Sequence, residues 1–135
     1  MARLIDSSVF IALERRGLRL GALAASLPDD RVALASITAS ELLAGVHRAD
    51  SPARRLRREA FVEAILALVP VLPFDLRAAR IHAQVWAGLV AVGQTIGTHD
   101  LLIASIALAN GYGVLTDNLR DFERVPGLAV ERPSW

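Results

Sequence analysis

Four carboxylates stand where an apolar run breaks off or begins. Asp6 interrupts "LIDSSVFIAL" at 4–13, Glu41 lies in "ITASELLAGV" at 37–46, Asp100 opens the apolar part of "IGTHDLLIASIAL" at 96–108, and Asp117 follows "YGVLT" at 112–116. Carboxylates brought together repel one another and raise each other's pKa, so a cluster of them is costly without a cation. Oxygen donors that need no histidine or cysteine select Mg²⁺ or Mn²⁺ over zinc. A hard cation held this way suits phosphodiester hydrolysis, because it polarises the phosphate and acidifies the attacking water.

Each acid also has a structural use. Asp6 can cap the helix that follows it. Thr38 and Glu41 have the T-x-x-E spacing of a capping box. Asp100 can complement the positive end of its helix, and Asp117 can open a turn. Context favours more than this for Asp100. Thr98 already supplies a cap, so the acid is surplus to local need beside an almost unbroken apolar run.

The elements that must position these acids follow from periodicity and punctuation. "RLID" at 3–6 reads as a short strand, followed by a helix that Gly17 stops and a second short helix ending near Pro28. "VALAS" at 32–36 is a buried strand, and 38–50 is a helix with Leu42, Leu43 and Val46 on one face. A further helix begins near Ser51 with Pro52 at its first position. "PVLPF" at 70–74 is a short strand, and an amphipathic helix then runs to Gly93. The run at 98–111 is apolar all round, so it is a buried helix. "YGVLT" and "GLAVE" are the last strands. Strands alternating with helices predict an α/β protein, a three-layer α/β/α sandwich around a short, mainly parallel sheet of four or five strands. Such sheets bind ligands beyond the carboxyl ends of their strands, the edge on which all four acids fall.

Composition narrows the chemistry. All 15 basic residues are arginine, which removes Walker-A phosphate binding, Schiff-base catalysis and Ser–Lys dyads. The absence of cysteine removes disulfides, thiolate zinc sites and thiol nucleophiles. With 53% hydrophobic residues the chain can build a sizeable core, and some of that apolar surface is expected to be covered by a partner. A net charge of +1 gives no global attraction to nucleic acid. No leader pattern or membrane span is recognisable, so one domain over 1–135 and a cytoplasmic location are expected.

Taken together, "LIDSSVFIAL", "ITASELLAGV", "IGTHDLLIASIALANG" at 96–111 and "VLTDNLRDFERVPGLAVE" at 114–131 resemble, in order and spacing, the PIN-domain nucleases, specifically the VapC-type toxins of bacterial toxin–antitoxin pairs. The resemblance spans the whole chain. It implies a metal-dependent endoribonuclease that inhibits translation by cutting transfer or ribosomal RNA, with catalytic acids Asp6, Glu41, Asp100 and Asp117. Asp6 and Asp100 would hold Mg²⁺ or Mn²⁺ directly, and Glu41 would act through water. The fourth position is open among Asp117, Asn118 and Asp121, with Asp117 preferred as an acid next to the motif position. Ser7 or Thr116 would fix a carboxylate or a bound water. A VapB-type antitoxin is the implied partner, with a homodimer, and a heterotetramer or larger assembly with antitoxin. The alternative is a catalytically weak PIN-like module that binds RNA or protein. A phosphotransfer domain using Asp6 fits poorly, since it needs a lysine and Ser8 breaks the D-x-D pattern.

Other features carry less. "ARRLRRE" at 53–59 is the densest basic cluster, and Arg54, Arg55 and Arg58 are candidate RNA-phosphate contacts, against a plain solvated face. His99 neighbours Asp100, but adjacent helical residues point about 100° apart, so no catalytic role is expected for it. Trp86 is expected in a core or interface, Phe122 as the anchor of the turn after Asp117, and Trp135 at the chain end either packed or mobile.

Overall fold

Strands buried on both sides must send successive side chains into two different cores. In the computed structural model, which describes residues 1–134, three central strands do this. Trp135 lies outside the described residues. Strand β1 (Ala2–Ile5) sends Leu4 to one core and Ile5 to the other. Strand β2 (Arg31–Ala35) splits Ala33 and Ala35 from Leu34 in the same way. Strand β4 (Gly113–Leu115) splits Val114 from Leu115. Helices α1 (Ser7–Arg15), α2 (Leu20–Ser26), α3 (Ser36–His47) and α4 (Pro52–Leu68) build the core that holds Ile5. Helices α5 (Leu76–Ala91), α6 (Thr98–Asn110) and α7 (Leu119–Phe122) build the other. The result is the expected three-layer sandwich.

The sheet has five strands in the order β3-β2-β1-β4-β5, with β3 at Val71–Leu72 and β5 at Val130–Glu131, and every pairing is parallel. Leu4 pairs with Ala33 on one side and Val114 on the other, so β1 is central. Strand order runs outward from β1 in one direction through β2 and β3 and in the other through β4 and β5. The reversal falls between β1 and β4, and there the carboxyl ends of a parallel sheet open a crevice.

Local signals account for most boundaries. Ser51 caps α4 by accepting the Arg54 N–H (3.2 Å), with Pro52 at the first position, and Asp75 caps α5 through the Ala78 N–H (2.9 Å). Helix α6 is buried along most of its length, and its one interior hydroxyl, Ser105, is satisfied by the Leu101 carbonyl (2.7 Å). It ends at Gly111 with φ 71°, a left-handed cap that only glycine adopts without strain; Tyr112 N–H then closes back on Ala107 O (2.9 Å).

Two expectations need correction. Helix α3 starts at Ser36 and ends at His47, not 38–50. The two edge strands shrink to two residues each, because an edge strand pairs on one side only. Of the two places expected for Trp86, exposure on α5 leaves the interface rather than the core. Phe122 is fully buried, as expected of an anchor. Among the described residues no helix is long and apolar enough to cross a membrane.

Candidate active site

Asp6 continues β1 by one residue, its N–H donating to Leu115 O of β4 (2.9 Å). It occupies the N-cap position of α1, yet its carboxylate makes no capping bond to that helix. Instead Oδ2 accepts from Ser8 Oγ (2.8 Å) and Thr116 Oγ1 (2.8 Å). Those hydroxyls in turn accept the N–H groups of Asp117 (3.1 Å) and Asn118 (2.9 Å). This clip ties the β1–α1 turn to the β4–α7 turn across the reversal point. Thr116 is fully buried and Asp6 nearly so, so the carboxylate is held in one rotamer. Thr116 does what the sequence suggests; Ser8, not Ser7, is the serine that joins it. In "DSS" the second serine comes round the first turn of α1 to face back to Asp6, and the alternation of strand logic does not reveal that.

Glu41 lies in the second turn of α3, since that helix begins at Ser36. The T-x-x-E spacing is therefore no capping box: Thr38 sits inside the helix, with its Oγ1 buried and unbonded. Glu41 Oε2 accepts from His99 Nδ1 of α6 at 3.2 Å, and Glu41 Oε1 is buried with no hydrogen-bond partner. The histidine that sequence spacing set aside thus touches one of the four acids. No sequence signal links positions 58 residues apart; only the packing of α3 against α6 does.

Asp100 is the third residue of α6, where Gly97, not Thr98, is the N-cap. Burial pushes its pKa from 3.8 up to about 7, and the nearby charge of Asp6, the charge and hydrogen bond of Asp121, and the charge of Glu41 push it the same way. Asn118 Nδ2 donates to Asp100 Oδ2 (3.1 Å). Asp121, in α7, accepts the Gly97 N–H on Oδ2 (3.4 Å). Asp117 is exposed, bonds Ser8 only through its main chain, and is not among the charges that perturb Asp100. The reason is the turn: Thr116 Oγ1 takes the Asn118 N–H, which swings side chain 118 to Asp100, and α7 brings residue 121 to the same side. The groups gathered here are Asp6, Glu41, Asp100 and Asp121, with Asn118 bridging.

The arginines of the basic run do not contact this cluster of acids directly. Arg54 Nη1 donates to both carboxylate oxygens of Asp50 (3.1 and 3.0 Å). Arg58 is engaged by Glu14 (3.3 Å) and Gly45 O (3.1 Å). Arg55 is exposed and has no ion-pair partner among the described residues. A cavity of about 230 Å³ between α1, α3 and α4 runs up to Glu41, with Ile11, Arg15, Arg48 and Arg58 on its wall.

This donor set fits a hard divalent cation. It is all oxygen, it carries excess negative charge, and the orphaned Glu41 Oε1 lacks the partner that a buried carboxylate oxygen needs. Among the described residues no group of three or more His, Cys, Asp or Glu side chains is, as it stands, arranged to hold a metal ion. Mg²⁺ does not require one, since it keeps several waters and takes one or two carboxylates. Asp6, Glu41, Asp100 and Asp121 are the carboxylates that could supply its oxygens.

Fold and site together define a doubly wound α/β protein with a carboxylate pocket at its topological switch point. The chain belongs to the PIN domain family, whose sequence profile matches residues 3–128. It is similar to ribonuclease VapC1 of Rickettsia felis, with 36% identity over 130 residues covering 96% of this chain and 95% of that one. It is also similar to the tRNA(fMet)-specific endonuclease VapC of Salmonella typhimurium, with 38% identity over 106 residues and 78% of each chain covered. Among solved structures, DNA-bound VapBC from Salmonella typhimurium superposes with a TM-score of 0.84 at 32% identity, covering 98% of both chains.

Proposed function

We propose that this protein is the toxin of a VapBC-type toxin–antitoxin pair, an endoribonuclease that cuts RNA by cation-assisted hydrolysis. The observation that carries this reading is the convergence of Asp6, Glu41, Asp100 and Asp121 from four separate elements on the sheet's switch point. Relatives named as ribonucleases and as a tRNA(fMet)-specific endonuclease support RNA as the substrate and make initiator transfer RNA the first one to test. Similarity to VapBC complexes supports a VapB-type antitoxin as partner. The exposed apolar face of α5, with Trp86 and Val90, supports a homodimer.

Asp6 and Asp100 would hold the cation, Mg²⁺ or Mn²⁺, which when bound would supply charge for the scissile phosphate and acidity for the attacking water. Ser8 and Thr116 fix the orientation of Asp6, and Asn118 that of Asp100. Glu41 accepts the proton from the attacking water. Asp121 adds negative charge beside Asp100, strengthening its hold on a cation.

The test is cleavage of an initiator transfer RNA transcript with Mn²⁺ or Mg²⁺ and with chelator, by wild type, Asp6→Asn and Asp100→Asn. Each variant is expected to lose at least ~100-fold in rate. Variants that cut as fast as wild type sink the assignment of this site.

A further inference from the structure

We infer that His99 is a positioning residue for Glu41. It holds one carboxylate oxygen from the solvent side so that the other is presented, bare, inside the pocket. This rests on the proposed role of Glu41 in hydrolysis, and it concerns a histidine that neither the acid pattern nor its own neighbours in sequence would single out.

Three observations carry it. His99 Nδ1 lies 3.2 Å from Glu41 Oε2, joining the start of α6 to the second turn of α3. A carboxylate acting as a base can only accept, so the proposed role requires Nδ1 to carry the hydrogen in this contact. The Glu41 oxygens are then unequal: Oε2 is engaged, whereas Oε1 is buried and has no partner. A buried unbonded carboxylate oxygen is costly to maintain, and a free glutamate would rotate it away. Finally, Glu41 has no other hydrogen-bond partner among the described residues, unlike Asp6 with two hydroxyls and Asp100 with the Asn118 amide. Without His99, the longest and most flexible of these acids would have nothing to fix it. The histidine side chain is itself 52% exposed, so it is a rim contact and not a core element. Its removal should leave the fold intact.

A glutamate displaced by about 1 Å at a reacting centre loses up to ~100-fold in rate, while substrate contacts elsewhere are untouched. His99→Ala and His99→Phe should therefore lower kcat on initiator transfer RNA transcript by ~10-fold with KM within about twofold. The phenyl ring keeps the shape and loses the donor. His99→Asn places an amide N–H near the Nδ1 position and should recover most of kcat. A second readout does not depend on turnover. In ¹⁵N spectra of neutral His99, recorded without added metal, the Nδ1–H tautomer should dominate in wild type and be lost in Glu41→Ala.

Unchanged kcat in His99→Ala and His99→Phe would overturn the positioning role, as would an asparagine variant no better than alanine. A wild-type His99 in the Nε2–H form would overturn the contact itself. A wild type that fails to cut RNA with either metal ion defeats the nuclease reading, and the role of Glu41 with it. The tautomer still decides whether the His99–Glu41 link exists.

Discussion

Asp100→Asn should stabilise the metal-free protein, and more at alkaline pH than at acid pH. Asparagine imitates the protonated acid: its oxygen can accept from Asn118 and its amide can donate toward Asp121. What it removes is the ionised form, which burial and the charges of Asp6, Asp121 and Glu41 disfavour. A folded-state pKa raised from 3.8 to about 7 is equivalent to ~4 kcal/mol between fully protonated and fully ionised limits. Asp100 is only partly buried, so solvent screening reduces this to ~2 kcal/mol. The sign follows from linkage. An acid with a raised folded pKa contributes its stability below the unfolded value, near pH 4, and loses it as pH rises through 7. About two-thirds of that window lies between pH 5 and 8. Urea unfolding in chelator should therefore show the advantage of Asp100→Asn over wild type growing by ~1 kcal/mol from pH 5 to pH 8, roughly 4 °C in Tm. Comparing the two proteins cancels every other titrating group to first order. Saturating Mg²⁺ at pH 8 should reverse the order, because the cation stabilises only the protein that can hold it, by ~2.7 kcal/mol at a hundred times its Kd. A gap that stays constant between pH 5 and 8, or a wild type more stable than the variant in chelator at pH 8, refutes the claim that these carboxylates crowd one another.

Thr116→Val should cost ~1–3 kcal/mol in urea unfolding, since it strips a donor from buried Asp6 and an acceptor from the Asn118 N–H; an unchanged midpoint would mean the clip across the switch point contributes nothing. Asp117→Ala should leave RNA cleavage within about twofold of wild type, whereas Asp121→Ala should weaken Mg²⁺ dependence by ~10-fold or more in half-saturating concentration; the opposite ranking would return the fourth position to Asp117. Expression of the protein alone should arrest growth, with Asp6→Ala silent and the cognate antitoxin protective, and normal growth with abundant wild-type protein would count against the toxin reading. Phe122→Ala should destabilise by ~3–5 kcal/mol because the ring is fully buried beneath α7, which a thermal melt measures directly.

Much of the architecture was legible because it is written in local chemistry. Ser51-Pro52 and Gly111 announce where helices begin and end, and both boundaries hold. The apolar strands declare burial on both faces, from which parallel pairing and a three-layer sandwich follow. The same logic placed Asp6 and Asp100 at the sheet's carboxyl edge, where the structure has them. Boundaries failed where propensity is ambiguous. Ile37 resumes the apolar run of β2 just past Ser36, so the run itself does not say that the helix has already begun. That two-residue shift also turned a capping box into a buried threonine and a second-turn glutamate.

The residue types, their order along the chain and the exclusion of lysine and thiol chemistry come from the sequence by itself, because each is a property of single positions or near neighbours. Which side chains meet does not. Spacing could not say which of Asp117, Asn118 and Asp121 turns toward Asp100, since that depends on a hydrogen bond from the Asn118 N–H to Thr116 Oγ1 that turns the chain by one position. Nor could it foresee that Arg54 and Arg58 of the basic run would be held by Asp50 and Glu14, or that His99 would reach Glu41. These contacts join residues far apart in the chain through the packing of α3, α6 and the β4–α7 turn around one crevice. Only the tertiary structure brings those elements to the same few ångströms.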